Sequence, residues 1–239
     1  MGLFFPQGLA PAAIEGLAAL KKETGLSYTV HLPLWSVEPS TLLGPVRQGS
    51  VHALVDCVRA TQPLEPEVYV LHATGALAAE FYRMGLPALA EGLILRQFQA
   101  AAGESIGALL AETGLEARRL AVETIEFPLD LTLELVEQHD LSICLDTGHI
   151  MAGFSGNADL FDVLEMVLPR LAEVHLHDAA QWRPGRPPGY GTDHRPLGTG
   201  DLDHARFLAR LAQAGFDGPI ILELTVEEAL ASLTAIKGT

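Results

Sequence analysis

Three observations on the sequence predict a single α/β domain over residues 1–239. The predicted fold is a (β/α)8 barrel built on a parallel sheet. Short apolar runs alternate with longer Ala/Leu-rich segments along the chain. The runs are almost continuously apolar, as expected for parallel strands buried on both faces. No G-x-G-x-x-G turn follows the first run, which disfavours the alternative of a doubly wound dinucleotide-binding sheet.

Seven runs are predicted strands: residues 2–5, 27–34, 68–73, 119–125, 142–148, 173–178 and 220–224. The segment before Gly25 carries Ala13, Leu17 and Leu20 at helical spacing, and the glycine marks its C-terminus. Residues 75–118 are predicted to form two helices separated at residues 85–87, and residues 179–200 a Pro/Gly-rich loop. No internal repeat or interdomain linker interrupts this order.

Composition bounds the classes of partner. A formal net charge of −15 disfavours nucleic acid, whose backbone binds clustered Lys and Arg. No run is long enough to span a bilayer, and the first residues lack a secretory signal. Cys57 and Cys144 lie in apolar settings and are expected to be buried free thiols. We therefore expect a cytoplasmic protein that acts on a small molecule and has no membrane partner. Assembly into a homo-oligomer is compatible with the sequence.

Metal-type side chains follow the predicted strands. A single strand-end histidine is usually a satisfied polar residue at the rim of a core, but only His52, His139 and His204 fall in or beside predicted helices. In a βα barrel the C-terminal strand ends converge on the face that carries the chemistry. We therefore expect a metal centre formed by His31, His72, Glu123, Asp146, His149, His175, Asp193, His194 and Glu223.

The donor types indicate which ions this centre would hold. Imidazoles and carboxylates without thiolates suit Zn²⁺, Mn²⁺, Fe²⁺ or Co²⁺, and the number of donors allows two or three ions. His177 lies on the same side of its strand as His175, so we expect it to orient a ligand or the substrate.

Four further residues are candidate substrate contacts. Arg183, Arg186 and Arg195 would neutralise a phosphate, and Trp35 would stack on a ring. The alternatives are a solvated surface loop for the arginines and closure of the hydrophobic rim for the tryptophan.

The strand-end motifs "VHLPL", "YVLHA", "AVETI", "LDTGH", "VHLHD", "DHRPLGTG" and "ILEL" occur in an order that resembles the xylose-isomerase-like TIM-barrel superfamily. That superfamily includes endonuclease IV and many sugar isomerases and epimerases, and the resemblance covers nearly the whole chain. Within it, "LSYTVHLPL", "PLEPEVYVLH" and "LSICLDTGHI" resemble the cobamide-remodelling phosphodiesterases. The superfamily usually has a strand and a loop ahead of residues 2–5. The barrel is therefore expected to lack one strand or to recruit one from elsewhere, unless the start is misassigned.

The resemblance implies two sets of metal ligands. An isomerase-type site with one ion uses Glu123, Asp146, His175 and Glu223. An endonuclease-type site with three ions adds His31, His72, His149 and His194, and all of these are present. The endonuclease pattern has an acid two residues before the loop histidine, whereas here that residue is Thr192 and the acid is Asp193.

The full ligand set favours a metal-dependent phosphodiesterase acting on a cobamide-like substrate, with Glu123, Glu223 and His177 as catalytic candidates. The alternative is a sugar or sugar-phosphate isomerase or epimerase in which Glu123 and Glu223 shuttle a proton across one ion. An endonuclease is less favoured because of the acidic charge. A barrel that only binds a ligand is disfavoured because nearly every ligand is retained.

Overall fold

The computed structural model describes residues 10–183, 189 and 191–238, which form two compact units. The N-terminal unit comprises the described residues up to Glu123 together with Asp130–Ser142. The C-terminal unit comprises Thr124–Leu129 and the described residues from Ile143 onward. The strand predicted at residues 2–5 lies outside the described residues. Within the described ranges, no helix has both the length and the apolar character that a membrane crossing requires.

The N-terminal unit contains three parallel strands in the order β1-β2-β3, with register pairs Val30 to Tyr69 and Tyr69 to Leu120. Every residue of β2 and β3 is buried, as predicted for strands covered on both faces. Its elements are α1 (Pro11–Thr24), β1 (Val30–His31), α2 (Gly44–Thr61), β2 (Tyr69–Leu71), α3 (Ala76–Arg83), α4 (Ala88–Thr113), β3 (Leu120–Glu123) and most of α5 (Leu129–Gln138).

Helix ends in this unit follow local chemistry. Helix α1 begins with Pro11 in its first turn and ends at Gly25, whose φ of 73° places it in the left-handed conformation predicted for the stop. The break predicted at residues 85–87 is present, since α3 ends at Arg83 and α4 begins at Ala88. Cys57 in α2 is a buried free thiol, as expected.

The C-terminal unit contains the parallel strands β4, β5 and β6, with Asp146 paired to His175 and His175 to Ile221. Its elements are β4 (Ser142–Asp146, of which Ser142 belongs to the N-terminal unit), α6 (Thr147–Met151), α7 (Leu160–Val167), β5 (Leu171–His175), α8 (His204–Gln213), β6 (Ile220–Ile221) and α9 (Val226–Lys237). Cys144 in β4 is also a buried free thiol.

The strands end earlier than the apolar runs predict. The run at 142–148 forms a strand only as far as Asp146, because the Asp146 carboxylate accepts the backbone N–H of His149 at 2.7 Å and so caps α6. Likewise the run at 220–224 is a strand only over Ile220–Ile221. Each strand therefore delivers a polar residue at or just past its C-terminal end.

Candidate functional site

In the N-terminal unit, three strand ends bring His31, His72 and Glu123 together. The Glu123 Oε2 atom lies 3.0 Å from His31 Nε2 and 2.9 Å from His72 Nε2. The His31 Nδ1–H donates to the Leu32 carbonyl at 2.8 Å, which fixes the ring with Nε2 facing the carboxylate. Two imidazole nitrogens and a carboxylate oxygen aimed at one point form a donor set for a divalent cation.

In the C-terminal unit, the fully buried Asp146 is the centre of a larger group. Its Oδ1 caps α6, and its Oδ2 lies 2.9 Å from His177 Nε2 and 3.8 Å from His175 Nδ1. The Glu223 Oε2 atom lies 3.4 Å from His175 Nδ1 and 3.5 Å from His194 Nε2. Carboxylate and imidazole donors therefore surround a common position in this unit.

His177 lies behind Asp146 and fixes its orientation. Its Nδ1 accepts the backbone N–H of His194 at 2.9 Å, so the proton of the neutral ring is on Nε2, which donates to Asp146 Oδ2. The ring is fully buried and stacks on that of His194, with 4.1 Å between centroids. The orienting role expected of His177 stays a prediction.

The loop acid Asp193 joins His149 and His194 in a further group of metal-type donors. Its Oδ2 lies 2.9 Å from His194 Nδ1 and 3.8 Å from His149 Nε2. The His149 Nδ1–H donates to the Thr124 carbonyl at 3.0 Å, which leaves Nε2 facing Asp193. The acid adjacent to the loop histidine therefore lies close to both imidazoles of this group.

The electrostatics of this group fit a cation. The hydrogen bond to Asp193, followed by that to Glu223, raises the pKa of His194 to about 10. Burial would raise the pKa of Asp193, but the hydrogen bond and charge of His194 outweigh it and hold that pKa below its usual value. The surrounding carboxylates thus favour positive charge, which a bound divalent ion would supply.

Three buried residues that support these donors were not predicted. Thr124 Oγ1 accepts the backbone N–H of Asp146 at 2.9 Å, while its carbonyl holds His149. Thr147 Oγ1 lies 2.8 Å from the His177 carbonyl and accepts the His177 N–H at 3.1 Å. These contacts link residues more than 20 positions apart, so no local sequence pattern signals them.

The third is Asp178, which holds the loop that carries Asp193 and His194. Its Oδ1 accepts the N–H groups of Ala179 and Leu202, and its Oδ2 those of Gly198 and Gly200, each at 2.9 Å. The Asp178 backbone also exchanges two hydrogen bonds with Arg195. The fully buried Asp178 therefore holds residue 195 through its backbone and residues 198–202 through its carboxylate.

The structure describes three of the four predicted substrate contacts. Trp35 is 64% exposed in the loop after β1, and Arg183 is exposed. The Arg195 guanidinium donates to the Thr199 carbonyl within its own loop. Arg186 lies outside the described residues. Their roles stay predictions.

Comparison with known proteins identifies the family of this chain. The uncharacterized protein MJ1311 of Methanocaldococcus jannaschii is 25% identical over 234 residues, which cover 96% of this chain and 75% of that protein. A D-tagatose 3-epimerase-like protein of known structure is 21% identical with a TM-score of 0.74, covering 96% of this chain and 82% of its own. Endonuclease IV from Thermus thermophilus is 22% identical with a TM-score of 0.69 over the same shares.

The structural likenesses establish the fold and include both an epimerase-like protein and an endonuclease. The predicted barrel class is confirmed, whereas phosphodiesterase activity is not established. The sequence matches the family described as xylose isomerase-like TIM barrel over residues 2–237, and the chain belongs to that family.

Proposed function

We propose that this protein is a divalent-metal-dependent isomerase or epimerase of a small hydroxylated carbonyl compound. The observation that carries the proposal is the position of Glu223, whose Oε2 lies 3.4 Å from His175 Nδ1. Asp146 and His175 are almost fully buried, whereas the Glu223 side chain is 29% exposed. The ligands thus lie inside, and a carboxylate lies at the accessible edge where a substrate arrives.

The chemistry follows from that arrangement. When bound, an ion such as Mn²⁺ or Co²⁺ supplies a Lewis acid that polarises a substrate carbonyl. Asp146 and His175 would hold it, each fixed by buried hydrogen bonds. Glu223 would accept a proton from the carbon beside the carbonyl and deliver it to the former carbonyl carbon, which completes an isomerisation. Epimerisation would instead need a second acid that returns a proton to the first carbon from the opposite face. Glu123, the other member of the ligand set implied for one ion, lies in the N-terminal unit.

The family likeness supports this proposal, because an epimerase-like protein is among the similar structures. A small-molecule substrate agrees with the net charge of −15, which disfavours binding of a nucleic acid backbone.

A second candidate function is hydrolysis of a phosphodiester, for which the cobamide-like substrate implied by sequence resemblance is the specific case. The observation that favours it is the presence of two further donor groups, His31–His72–Glu123 and His149–Asp193–His194. A hydrolase with several ions uses such groups to activate water and stabilise the leaving oxygen. Of these residues, a single-ion isomerase needs only Glu123 as a ligand.

Solvent deuterium exchange tests the main proposal directly. Protein loaded with Mn²⁺ or Co²⁺ is incubated in D2O with a panel of free ketoses, and NMR follows exchange of the carbon-bound hydrogen and formation of the epimer. We expect exchange that requires the ion and falls at least about 100-fold in Glu223→Gln, the loss expected for a proton-transfer group. His52→Gln, an exposed change on α2, is the matched control. Hydrolysis of bis(4-nitrophenyl) phosphate without exchange on any ketose would overturn the proposal in favour of the second candidate.

A further inference from the structure

Glu173 is a buried acidic residue within a strand of the C-terminal unit. It lies in β5, two residues before His175 and on the same side of the strand, and it is only 1% exposed. Its neighbours along the strand are Ala172 and Val174, and the residue paired with it on β4 is Cys144. Burying a carboxylate is costly unless a partner compensates it, so its partner defines its role.

One partner of Glu173 is His175. Glu173 Oε1 lies 3.2 Å from His175 Nε2, and both side chains are almost completely buried. The other ring nitrogen, Nδ1, faces Glu223 Oε2 at 3.4 Å and Asp146 Oδ2 at 3.8 Å. The ring therefore lies between one acid behind it and two in front of it.

A neutral imidazole carries one proton, and the hydrogen bond to one nitrogen decides whether the other can bind a metal. A carboxylate next to Nε2 holds the proton there, which leaves the lone pair of Nδ1 directed at Asp146 and Glu223. The same hydrogen bond limits rotation of the ring and increases the basicity of the nitrogen that faces the ion.

We propose that Glu173 is a positioning residue that fixes the tautomer and the ring orientation of His175, so that Nδ1 faces the cation. This inference rests on the cation site of the proposed function. It assigns a role to a residue that neither the strand-end pattern nor the resemblance singled out. Because Glu173 acts through His175, its removal is expected to lower metal affinity. Any effect on catalysis would follow from that loss.

A different use of the same residues is a separate ion held by Cys144, Glu173 and His175, whose donor atoms lie within 4.8 Å of one another. These three residues are at most 1% exposed, so the trio offers no open side to substrate. It would also require His175 to direct the lone pair of Nε2, and not its proton, at Glu173. Cys144 therefore serves as the discriminating control.

The first experiment reads metal affinity through the visible absorption of Co²⁺ added to metal-free protein. We expect Glu173→Ala to weaken Co²⁺ binding about 10- to 100-fold, the usual effect of losing a carboxylate behind a ligating histidine. Glu173→Gln keeps the volume and a hydrogen-bonding group, so it should recover part of this loss and also shows that the fold persists. Cys144→Ala should bind Co²⁺ like the wild type. A thiolate-to-cobalt band in the wild type, or an equal loss in Cys144→Ala, would overturn the proposal in favour of the separate ion.

The second experiment reads the tautomer itself by ¹⁵N NMR of the histidine rings in metal-free protein. The wild type should carry the His175 proton on Nε2, and Glu173→Ala should lose that preference. A wild-type ring protonated at Nδ1, or an unchanged tautomer in the variant, would overturn the inference. If the wild type fails to bind Co²⁺, the proposed metal site fails, but the tautomer still tests Glu173 by itself.

Discussion

The ring of His177 lies against the backbone of Gly148 so closely that a Cβ at position 148 would be 2.1 Å from His177 Cε1. Gly148 does not require a left-handed conformation, so the reason for glycine here is the space that the imidazole occupies. Since this imidazole holds Asp146 at 2.9 Å, the absence of a side chain at position 148 leaves room for the contact that orients Asp146, a proposed metal ligand.

We predict that Gly148→Ala displaces His177, destabilises the protein by about 1 to 3 kcal/mol and weakens Co²⁺ binding at least about 10-fold. Urea unfolding and a Co²⁺ titration measure the two effects. The control is Gly107→Ala in α4, where a Cβ meets nothing within 4 Å and should stabilise the helix slightly. Equal effects of the two substitutions would remove the role given to His177.

Asp178→Asn should loosen the loop that carries Asp193 and His194. The amide has only one accepting oxygen, so two of the four N–H groups held by the carboxylate would lose their acceptor, at about 1 to 3 kcal/mol for each buried donor. Hydrogen exchange at residues 198–202 should increase, and the free energy of unfolding should fall. Asp201→Asn is the matched control, because its exposed carboxylate accepts one N–H, that of Gln181. Unchanged exchange in Asp178→Asn would contradict the prediction.

Metal stoichiometry in His72→Ala separates the two candidate functions. An isomerase with its ion in the C-terminal unit should keep one ion per chain and most of its turnover, because His72 belongs to the N-terminal donor group. A phosphodiesterase with several ions should lose an ion and at least about 100-fold in turnover. Elemental analysis beside kinetics gives the answer, and loss of an ion together with turnover would favour the second candidate.

The acid stability of the N-terminal unit should depend on His139. Burial lowers its pKa, and its Nε2 is buried without a hydrogen-bond partner among the described residues. Because the folded state favours the neutral ring, this contribution to stability is present above the unfolded pKa of about 6.5 and is lost as the pH falls toward the folded pKa.

His139→Leu should therefore flatten the fall in unfolding free energy between about pH 7 and about pH 5, whatever its effect at neutral pH. Urea denaturation at several pH values measures this slope. The exposed His52→Leu in α2 serves for comparison. An unaltered slope in His139→Leu would show that this ring does not drive the acid sensitivity.

Strand existence was predictable because parallel strands buried on both faces are apolar runs, and six of the seven predicted runs contain strands among the described residues. Their ends were less predictable. The run at 142–148 continues in apolar and small residues, and only the capping contact of Asp146 with His149 shows where the strand stops. The candidate donors could be predicted because most of them lie at or just past the end of a predicted strand. Their roles stay predictions.

The supporting residues could not be predicted in the same way. In the sequence, Glu173 is only an acidic residue in a predicted strand. Its proposed role follows from His175 Nε2, which lies 3.2 Å from Glu173 Oε1. Thr124 and Asp178 act through backbone groups 22 and 24 residues away. Such contacts exist only once the strands and loops are assembled.

The two oxygens of Asp146 have separate tasks, since Oδ1 caps α6 and Oδ2 faces His177 and His175. Neither task needs an ion, so this part of the donor set is preorganised by the chain itself. An arriving cation would find the buried ligands already oriented, and little backbone would have to become ordered around it. Calorimetry of metal binding should accordingly show a heat-capacity change far smaller than that of folding coupled to binding.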